Sequence, residues 1–364
     1  MRILYDHAIF ARQLYGGFSR YFTEIIPRIA RSPQAKVNLF MGLHISRYNL
    51  ADHKADFEHF FGFHRPISRG TFRMTLGLNN WLFERFARKY PADIFHQTAY
   101  LDLPAPGAKR IVTLHDLTPE KFPHLVGAPD VLLANRREVV MKADGVICIS
   151  EQTRKDMLEI FGTPSGKVAV IHHANSLHRA AATTCEVDGK YILFVGARGG
   201  YKGFDTLLRA YAQSQQLNRA FKLVAVGSTP LSREEMNLAS KLGISDRLFH
   251  LTANDDKLAT LYSHAAAFIY PSLYEGFGIP LLEAMYYGCP VVASNASCFP
   301  EIAGAAAMYF EPGNAEDLAD KIQRVLQDEE KRTAMIDAGK MREAQFSWDR
   351  CARETLEFYG SVLG

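Results

Sequence analysis

YILFVGARGGYKGFDTLLRAYAQ (191–213) is the stretch that decides the architecture. The apolar run YILFVG (191–196) reads as a strand buried on both faces of a parallel sheet, FDTLLRAYAQ (204–213) reads as a helix, and a glycine-bearing turn joins them. Strand, glycine turn, helix is the recurrent phosphate-binding arrangement, because free N–H groups at a helix N-terminus face an anion. The turn is Gly196-Ala197-Arg198-Gly199-Gly200-Tyr201-Lys202-Gly203. It is not a P-loop, since Tyr201 stands where that motif needs Gly and Gly203 where it needs Ser or Thr, and it lacks the G-x-G-x-x-G of dinucleotide folds. ATPase and dinucleotide readings weaken accordingly. What remains is a pair of cations, Arg198 and Lys202, suited to neutralising a diphosphate without an obligatory metal; the competing reading is an exposed basic turn.

The same alternation extends in both directions. Downstream, strand patterns at FKLVAVG (221–227), RLFHLT (247–252), AAFIY (266–270), PVVAS (290–294) and AAMYF (306–310) are separated by helical patterns near 203–216, 231–242, 255–265, 280–288 and 315–343. Upstream, RILYDHAI (2–9), KVNLFMG (36–42), DIFHQ (93–97), RIVTLHD (110–116), GVICIS (145–150) and KVAVIHH (167–173) read as strands, with helices at about 17–31, 128–143 and 151–161. Between the two series HHANSLHRAAATTCEVDGK (172–190) breaks the rhythm with small and polar residues and reads as a linker. The expectation is an α/β chain of two doubly wound, Rossmann-like domains, 1–172 and 173–347, facing a central cleft. The amphipathic FSWDRCARETLEFYGSVL (346–363) arrives after the second sheet is complete, and residues 348–364 are expected to pack back on the first domain.

Composition narrows the class. A chain of 364 residues suits two domains of roughly 150–200 residues each. With 48% hydrophobic and 22% charged residues it is neither disordered nor fibrous. No run approaches the ~18 apolar residues of a membrane span, and MRILYDHAIFARQ enters a strand pattern instead of a secretory apolar region, so cytoplasmic residence is expected. The five cysteines are scattered, with no C-x-x-C pair, which indicates neither a disulfide framework nor a zinc site. There is no D-x-D and no His/carboxylate cluster at ligand spacing, so no metal site is expected. His172-His173 is an attractive pair, but adjacent strand residues point to opposite faces.

A second constellation lies in PSLYEGFGIPLLEAMYYGCPVVAS (271–294). Glu275 falls on a loop just after a strand, Gly276 and Gly278 expose backbone, Pro280 suits the first helical position, and Glu283 follows in the first turn. A carboxylate so placed can accept both hydroxyls of a ribose; alternatively, Glu283 complements the helix dipole and Glu275 is a solvated loop acid.

Together, the two constellations resemble a known family. GARGGYKGFDTLLRAY followed by LTANDDKLATLYSHAAAFIYPSLYEGFGIPLLEAMYYGCPVVASNASCFPEIAG is similar to the group-one, family-four glycosyltransferases of the GT-B fold, whose signature is the Glu275 to Glu283 spacing with seven residues between. In the first half, Tyr15-Gly16-Gly17-Phe18-Ser19-Arg20-Tyr21, Thr113-Leu114-His115-Asp116-Leu117 and Ile149-Ser150-Glu151 match more loosely. The resemblance implies a second domain that binds a nucleotide diphosphate-sugar and a first domain that binds the acceptor. It implies that Arg198 and Lys202 clamp the diphosphate, although they stand close together for the family. It places Glu283 on the ribose, and Glu275 with the Phe277 and Gly278 backbone against the donor sugar and distal phosphate. His115 would meet the sugar from the first domain, and Gly16 and Gly17 would let backbone approach the phosphate. The reaction implied is retaining hexosyl transfer with no cofactor and no metal, from a GDP- or UDP-linked sugar to a glycan or lipid-diphosphate-linked acceptor in surface polysaccharide synthesis, mannose being favoured. A non-catalytic nucleotide-sugar-binding subunit and a sugar-nucleotide epimerase of the same fold are the alternatives; turnover with an acceptor separates both from a transferase.

Charge is uneven. Residues 1–170 hold 23 Lys+Arg against 16 Asp+Glu and residues 171–364 hold 19 against 23, within a net +3. Much of the excess lies in GFHRPISRGTFRMTLGLNNWLFERFARKY (62–90), where Arg65, Arg69, Arg73, Arg85, Arg88 and Lys89 face the single acid Glu84 and interleave with Phe63, Phe72, Leu76, Trp81, Leu82, Phe83 and Phe86. The segment suits contact with an anionic membrane surface, or else its aromatics feed the first core and its cations face water. Nucleic acid is not expected, since no recognition module accompanies the charge.

Overall fold

Two all-parallel sheets organise the chain, which the computed structural model describes over residues 1–65, 72–127 and 129–364. The first is built from β1 (Arg2–Tyr5), β2 (Lys36–His44), β3 (His59–His64), β4 (Ile94–Gln97), β5 (Lys109–Leu114), β6 (Gly145–Cys148) and β7 (Lys167–Val170). Its order is β3-β2-β1-β4-β5-β6-β7. The second holds β8 (Tyr191–Val195), β9 (Lys222–Val226), β10 (Leu248–Leu251), β11 (Ala267–Tyr270), β12 (Val291–Ser294) and β13 (Ala307–Phe310), in the order β10-β9-β8-β11-β12-β13. Most of these strands are buried on both faces, which is why the sequence shows continuous apolar runs instead of alternation. In each sheet the order reverses beside the first strand, between β1 and β4 and between β8 and β11. Such a switch point opens a crevice at the carboxyl ends of the strands.

The chain divides into two units. One comprises Met1–Pro123, Gly127–His173 and Ser347–Gly364; the other comprises Ala174–Phe346 with His124–Val126. The helix Trp348–Leu363 belongs to the first unit, where it packs on the helix Gly17–Ala30. Arg28 Nε donates to Asp349 at 2.8 Å there, and the Tyr5 and Tyr359 hydroxyls meet at 2.9 Å. Tyr359 also reaches His96 Nδ1 at 2.5 Å, and His96 Nε2 bonds Thr113 Oγ1 at 2.8 Å, so this buried imidazole is fully partnered. Burial pushes its pKa down to about 3. His173, which closes the first unit's run, is buried, stacked on Tyr21 at 4.7 Å, and likewise pushed to about 3 by burial.

Several boundaries differ from the sequence expectation, each for a local reason. β3 is a strand the pattern did not reveal, because HFFGFH is an edge strand whose residues pair only with β2. The expected 315–343 helix is two, Ala315–Gln327 and Glu329–Glu343, divided at Asp328, whose carboxylate accepts from Lys331 N at 2.9 Å and caps the second. Ser214 divides the 203–216 pattern in the same manner, accepting from Leu217 N at 3.1 Å to start Gln215–Ala220. The linker is tied to the second unit: Tyr287 Oη accepts from Arg179 N at 3.0 Å and bonds Leu177 O at 3.0 Å.

The basic segment resolves into β3 and the helix Phe72–Lys89; Arg69 lies outside the described residues. Thr75, Asn79, Phe83 and Ala87 form its buried stripe. Asn79 grips the end of β2, accepting from Leu43 N at 2.9 Å and donating to Leu43 O at 3.0 Å. The opposite face is apolar as well as basic. Met74, Leu78 and Trp81 are 77%, 45% and 50% exposed at i, i+4, i+7, and Phe63 of β3 is 60% exposed. Arg73, Arg85, Arg88 and Lys89 are exposed along the same helix, with the Arg85 guanidinium 3.4 Å from the Trp81 ring.

Candidate active site

The switch point of the second sheet brings the two sequence constellations together. The turn after β8 and the loop after β11 emerge side by side there, because β8 and β11 are hydrogen-bonded neighbours. Leu273 N donates to Tyr201 O at 2.7 Å, and Gly203 lies so close to the loop that a Cβ on it would stand 2.1 Å from Pro271 O. Gly203 also has φ +67° as it opens the helix Phe204–Gln213, so both its conformation and its neighbour demand glycine. Across this junction Lys202 Nζ reaches Glu275 Oε1 at 2.6 Å, with the two side chains 18% and 15% exposed. Burial works against the charged ammonium, yet Glu275 and Tyr201 outweigh it and hold the Lys202 pKa above its ordinary value. The group is a cation held charged in a sheltered crevice.

Glu275 is gripped on every side. Ser272 Oγ donates to its Oε1 at 3.0 Å, and Ser297 Oγ donates to its carbonyl at 2.6 Å. Tyr270, buried at the end of β11, has its hydroxyl pKa pushed well up, first by burial and then by the Glu275 carboxylate, and so stays a phenol. The loop ends at Gly278, whose φ of +86° turns the chain into the helix Ile279–Tyr286, with Pro280 in its first turn. Glu283, half-buried on that helix, accepts from Tyr262 Oη at 3.0 Å. The Phe277 ring is buried, edge-on to Phe346 at 5.8 Å, so only its backbone fits the role expected for it.

Arg198 is not brought to this group. Its guanidinium turns to the other side of the turn, where Nε donates to Glu235 at 3.0 Å and Nη2 donates to Thr229 O at 2.6 Å and Pro230 O at 2.7 Å. Its side chain is 4% exposed. It fastens the turn to the helix Arg233–Lys241, beside a cavity of about 580 Å³ lined by Gly199, Thr229 and Glu235. The close spacing of Arg198 and Lys202 explains this: with three residues between them on an irregular turn, the two side chains leave in different directions.

In the first unit, His115 follows β5. Its ring stacks on Phe18 at 3.9 Å and meets Tyr21 edge-on, and its Nε2 is buried with no hydrogen-bond partner among the described residues. Burial, reinforced by His173, His96 and Arg136, pushes its pKa well below the usual value. It is therefore a neutral imidazole. Gly16 precedes the helix Gly17–Ala30, whose first turn holds no acid and whose Ser19 N is capped by Gln13 Oε1 at 3.2 Å. That end keeps its positive dipole. Tyr262, Ser272, Ser297 and Glu235 escaped the sequence reading. Only Glu235 carried a local signal, the Ser232-x-x-Glu235 capping box.

Residues 15–179 match the family model described as Glycosyltransferase Family 4, and residues 181–342 match that of Glycosyl transferases group 1. The chain belongs to the group 1, family 4 glycosyltransferases. The glycosyltransferase is 27% identical over 287 residues to O-antigen chain mannosyltransferase B of Escherichia coli, a match covering 75% of each chain. To the MMP alpha-(1->4)-mannosyltransferase of Mycolicibacterium hassiacum it is 28% identical over 63% of this chain and 56% of that one. Its fold is GT-B. A sucrose-phosphate synthase of Thermosynechococcus elongatus superposes with a TM-score of 0.79 at 22% identity, covering 99% of this chain and 98% of that one. Anabaena HepE, solved in complex with UDP and glucose, gives 0.75 at 19% identity over 99% and 100%. No helix among the described residues is long and apolar enough to cross a membrane.

Proposed function

We propose that the enzyme transfers a hexose, with mannose favoured, from a nucleoside diphosphate sugar to a glycan or lipid-linked acceptor in surface polysaccharide synthesis, with retention of configuration and without a metal. The observation that carries this reading is the Lys202–Glu275 pair at 2.6 Å, set at the second switch point beside the helix that bears Glu283. The mannosyltransferase relatives support the sugar, and a neighbour solved with UDP supports the donor class. On this metal-free reading the charge of the diphosphate falls to Lys202 and to helix N-termini.

In the reaction the bond from the sugar C1 to the phosphate oxygen breaks while a bond from C1 to the acceptor oxygen forms on the same face. The acceptor's proton passes to the departing phosphate oxygen. Lys202 faces charge that grows on that oxygen, the position from which a preorganised cation stabilises a transition state most. Glu283 takes the ribose, with Tyr262 fixing its carboxylate. Arg198 holds the turn in place through Glu235 and Thr229. Within the first unit, neutral His115 has an unpaired Nε2 that suits a hydrogen bond to a sugar hydroxyl, and the helix Gly17–Ala30 begins with no acid in its first turn. The exposed Met74, Leu78, Trp81 and Phe63 with their flanking cations form a face suited to an anionic bilayer carrying a lipid-linked acceptor.

The test is a panel of nucleotide sugars, scored by thermal shift and then by release of nucleoside diphosphate with and without glycan acceptors. Stabilisation by GDP-mannose over UDP-sugars and acceptor-dependent release support the reading. Release without acceptor dependence by any donor points to a different reaction.

A further inference from the structure

Among the described residues, Ser297 alone has a positive φ without being glycine, at +53°. A side chain in that region is held there against its own preference, and such outliers persist where the surroundings over-determine them. Glycine would make the same turn freely, so the serine must supply something its backbone does not. Its hydroxyl has one proton to give and lone pairs to receive, and it uses both on a single residue: Oγ donates to Glu275 O at 2.6 Å and accepts from Glu275 N at 3.3 Å. Cys298 Sγ reaches the same carbonyl at 3.3 Å. Burial pushes the Cys298 thiol well up, which keeps it a donor. At the other end of the loop Ser294 Oγ donates to Ser272 O. The segment 294–298 is thus a template against which the loop bearing Glu275 is laid.

We propose that Ser297 is a positioning residue for the transfer reaction: by clasping the main chain of Glu275 on both its N–H and C=O, it sets where the carboxylate stands toward Lys202 and the donor. Two independent sets of contacts then fix Glu275. Ser297 and Cys298 hold its backbone, and Ser272 and Lys202 hold its carboxylate. Without the first set the carboxylate still reaches Lys202, but the loop that carries it is free to shift. The proposal rests on the reading that Lys202 and Glu275 act on the donor.

The test uses Ser297→Gly, which accepts φ +53° and lacks the hydroxyl, beside Ser297→Ala, which lacks the hydroxyl and keeps the strain. Each full-length variant is measured for thermal midpoint, for GDP and UDP affinity by calorimetry, and for turnover of the donor found active in the wild type. Ser297→Gly is expected to melt at or above the wild-type temperature, to bind the nucleoside diphosphate within about threefold, and to lose kcat by about 10- to 100-fold, the scale of an ångström-level misplacement. Ser297→Ala is expected to lose kcat to a similar degree and to melt lower. As a readout independent of turnover, the change in nucleoside diphosphate affinity caused by Glu275→Gln should shrink at least twofold in the Ser297→Gly background. Wild-type kcat in Ser297→Gly, or a kcat loss matched by an equal loss of affinity and melting temperature, overturns the proposal. Unaltered activity in Lys202→Ala and Glu275→Gln would instead remove the reading beneath it, so the two failures are distinguishable.

Discussion

Replacing Glu275 by Gln should tighten nucleoside diphosphate binding while slowing turnover. In the ligand-free enzyme Lys202 already has a counter-ion, 2.6 Å away and sheltered from solvent. A diphosphate entering this crevice gains the ammonium but meets the carboxylate that holds it. At an effective dielectric of ~20, a carboxylate about 5 Å from one phosphate charge repels it by roughly 3 kcal/mol, of which relaxation and screening leave about a third to two thirds. Glu275→Gln removes that repulsion, keeps the shape of the side chain, and leaves an oxygen for Ser272 Oγ. It also leaves the buried ammonium unpaired until ligand arrives, which adds in the same direction. The expected gain is about 1–2 kcal/mol, roughly 5- to 30-fold in Kd. Over the same change kcat should fall by about 10²-fold if, as proposed, Glu275 faces the reacting sugar. Calorimetric titration of GDP and UDP into wild type and variant, with donor kinetics alongside, checks both. Weaker binding in Glu275→Gln would refute the reasoning, since it would make the carboxylate a ligand of the nucleotide and not its competitor.

Glu283→Ala should raise the donor KM and weaken nucleoside diphosphate binding with kcat nearly retained, because the ribose contact proposed for it would be made in ground and transition states alike; Tyr262→Phe should show a smaller change of the same kind. A kcat loss larger than the KM rise would contradict that role. Acid should destabilise the first unit: burial holds His7 and His44 near pKa 4, His96 and His173 near 3, and His115 low, so the unfolded chain takes up protons first. Stability is then complete above about pH 6.5 and declines below it by at most ~1.4 kcal/mol per pH unit for each histidine, with the raised carboxyl of buried Asp6 opposing by one group. A melting temperature unchanged from pH 7.5 to 5 would count against this. Sedimentation with anionic vesicles should appear at low salt, fade at high salt, and drop in Trp81→Ala and Arg85→Ala; equal binding to neutral vesicles would exclude the electrostatic part.

How much of this was legible in the sequence depends on the range of each interaction. Parallel strands buried on both faces announce themselves as apolar runs, so both sheets, apart from the edge strand β3, and the turn after β8 could be placed from residues alone. The acids of 271–294 were also visible, because a strand end, two glycines and Pro280 fix their local setting. Partners remained hidden. Lys202 meets Glu275 across 73 positions and Tyr262 meets Glu283 across 21, contacts made only by the order of strands in the sheet. Arg198 shows the reverse: its place in the sequence suggested phosphate, while the carbonyls of Thr229 and Pro230 and the carboxylate of Glu235 decide where its side chain goes. Ser297 gives no sequence signal, since a serine at positive φ looks like any loop serine. The mixed character of Phe72–Lys89 was visible, but which aromatics face the core was settled by the grip of Asn79 on β2, which turns Phe83 inward and Trp81 outward.

Lys202→Ala tests the central claim most directly. If this ammonium stabilises the departing diphosphate, the variant keeps its fold, loses kcat by about 10²-fold or more, and loses a smaller factor in nucleoside diphosphate affinity, because the charge it faces is greatest at the transition state. Steady-state kinetics with the active donor and acceptor, beside calorimetry of the product nucleotide, give both numbers from one preparation. Turnover within a few-fold of wild type would contradict the account and place the phosphate site somewhere other than the turn after β8.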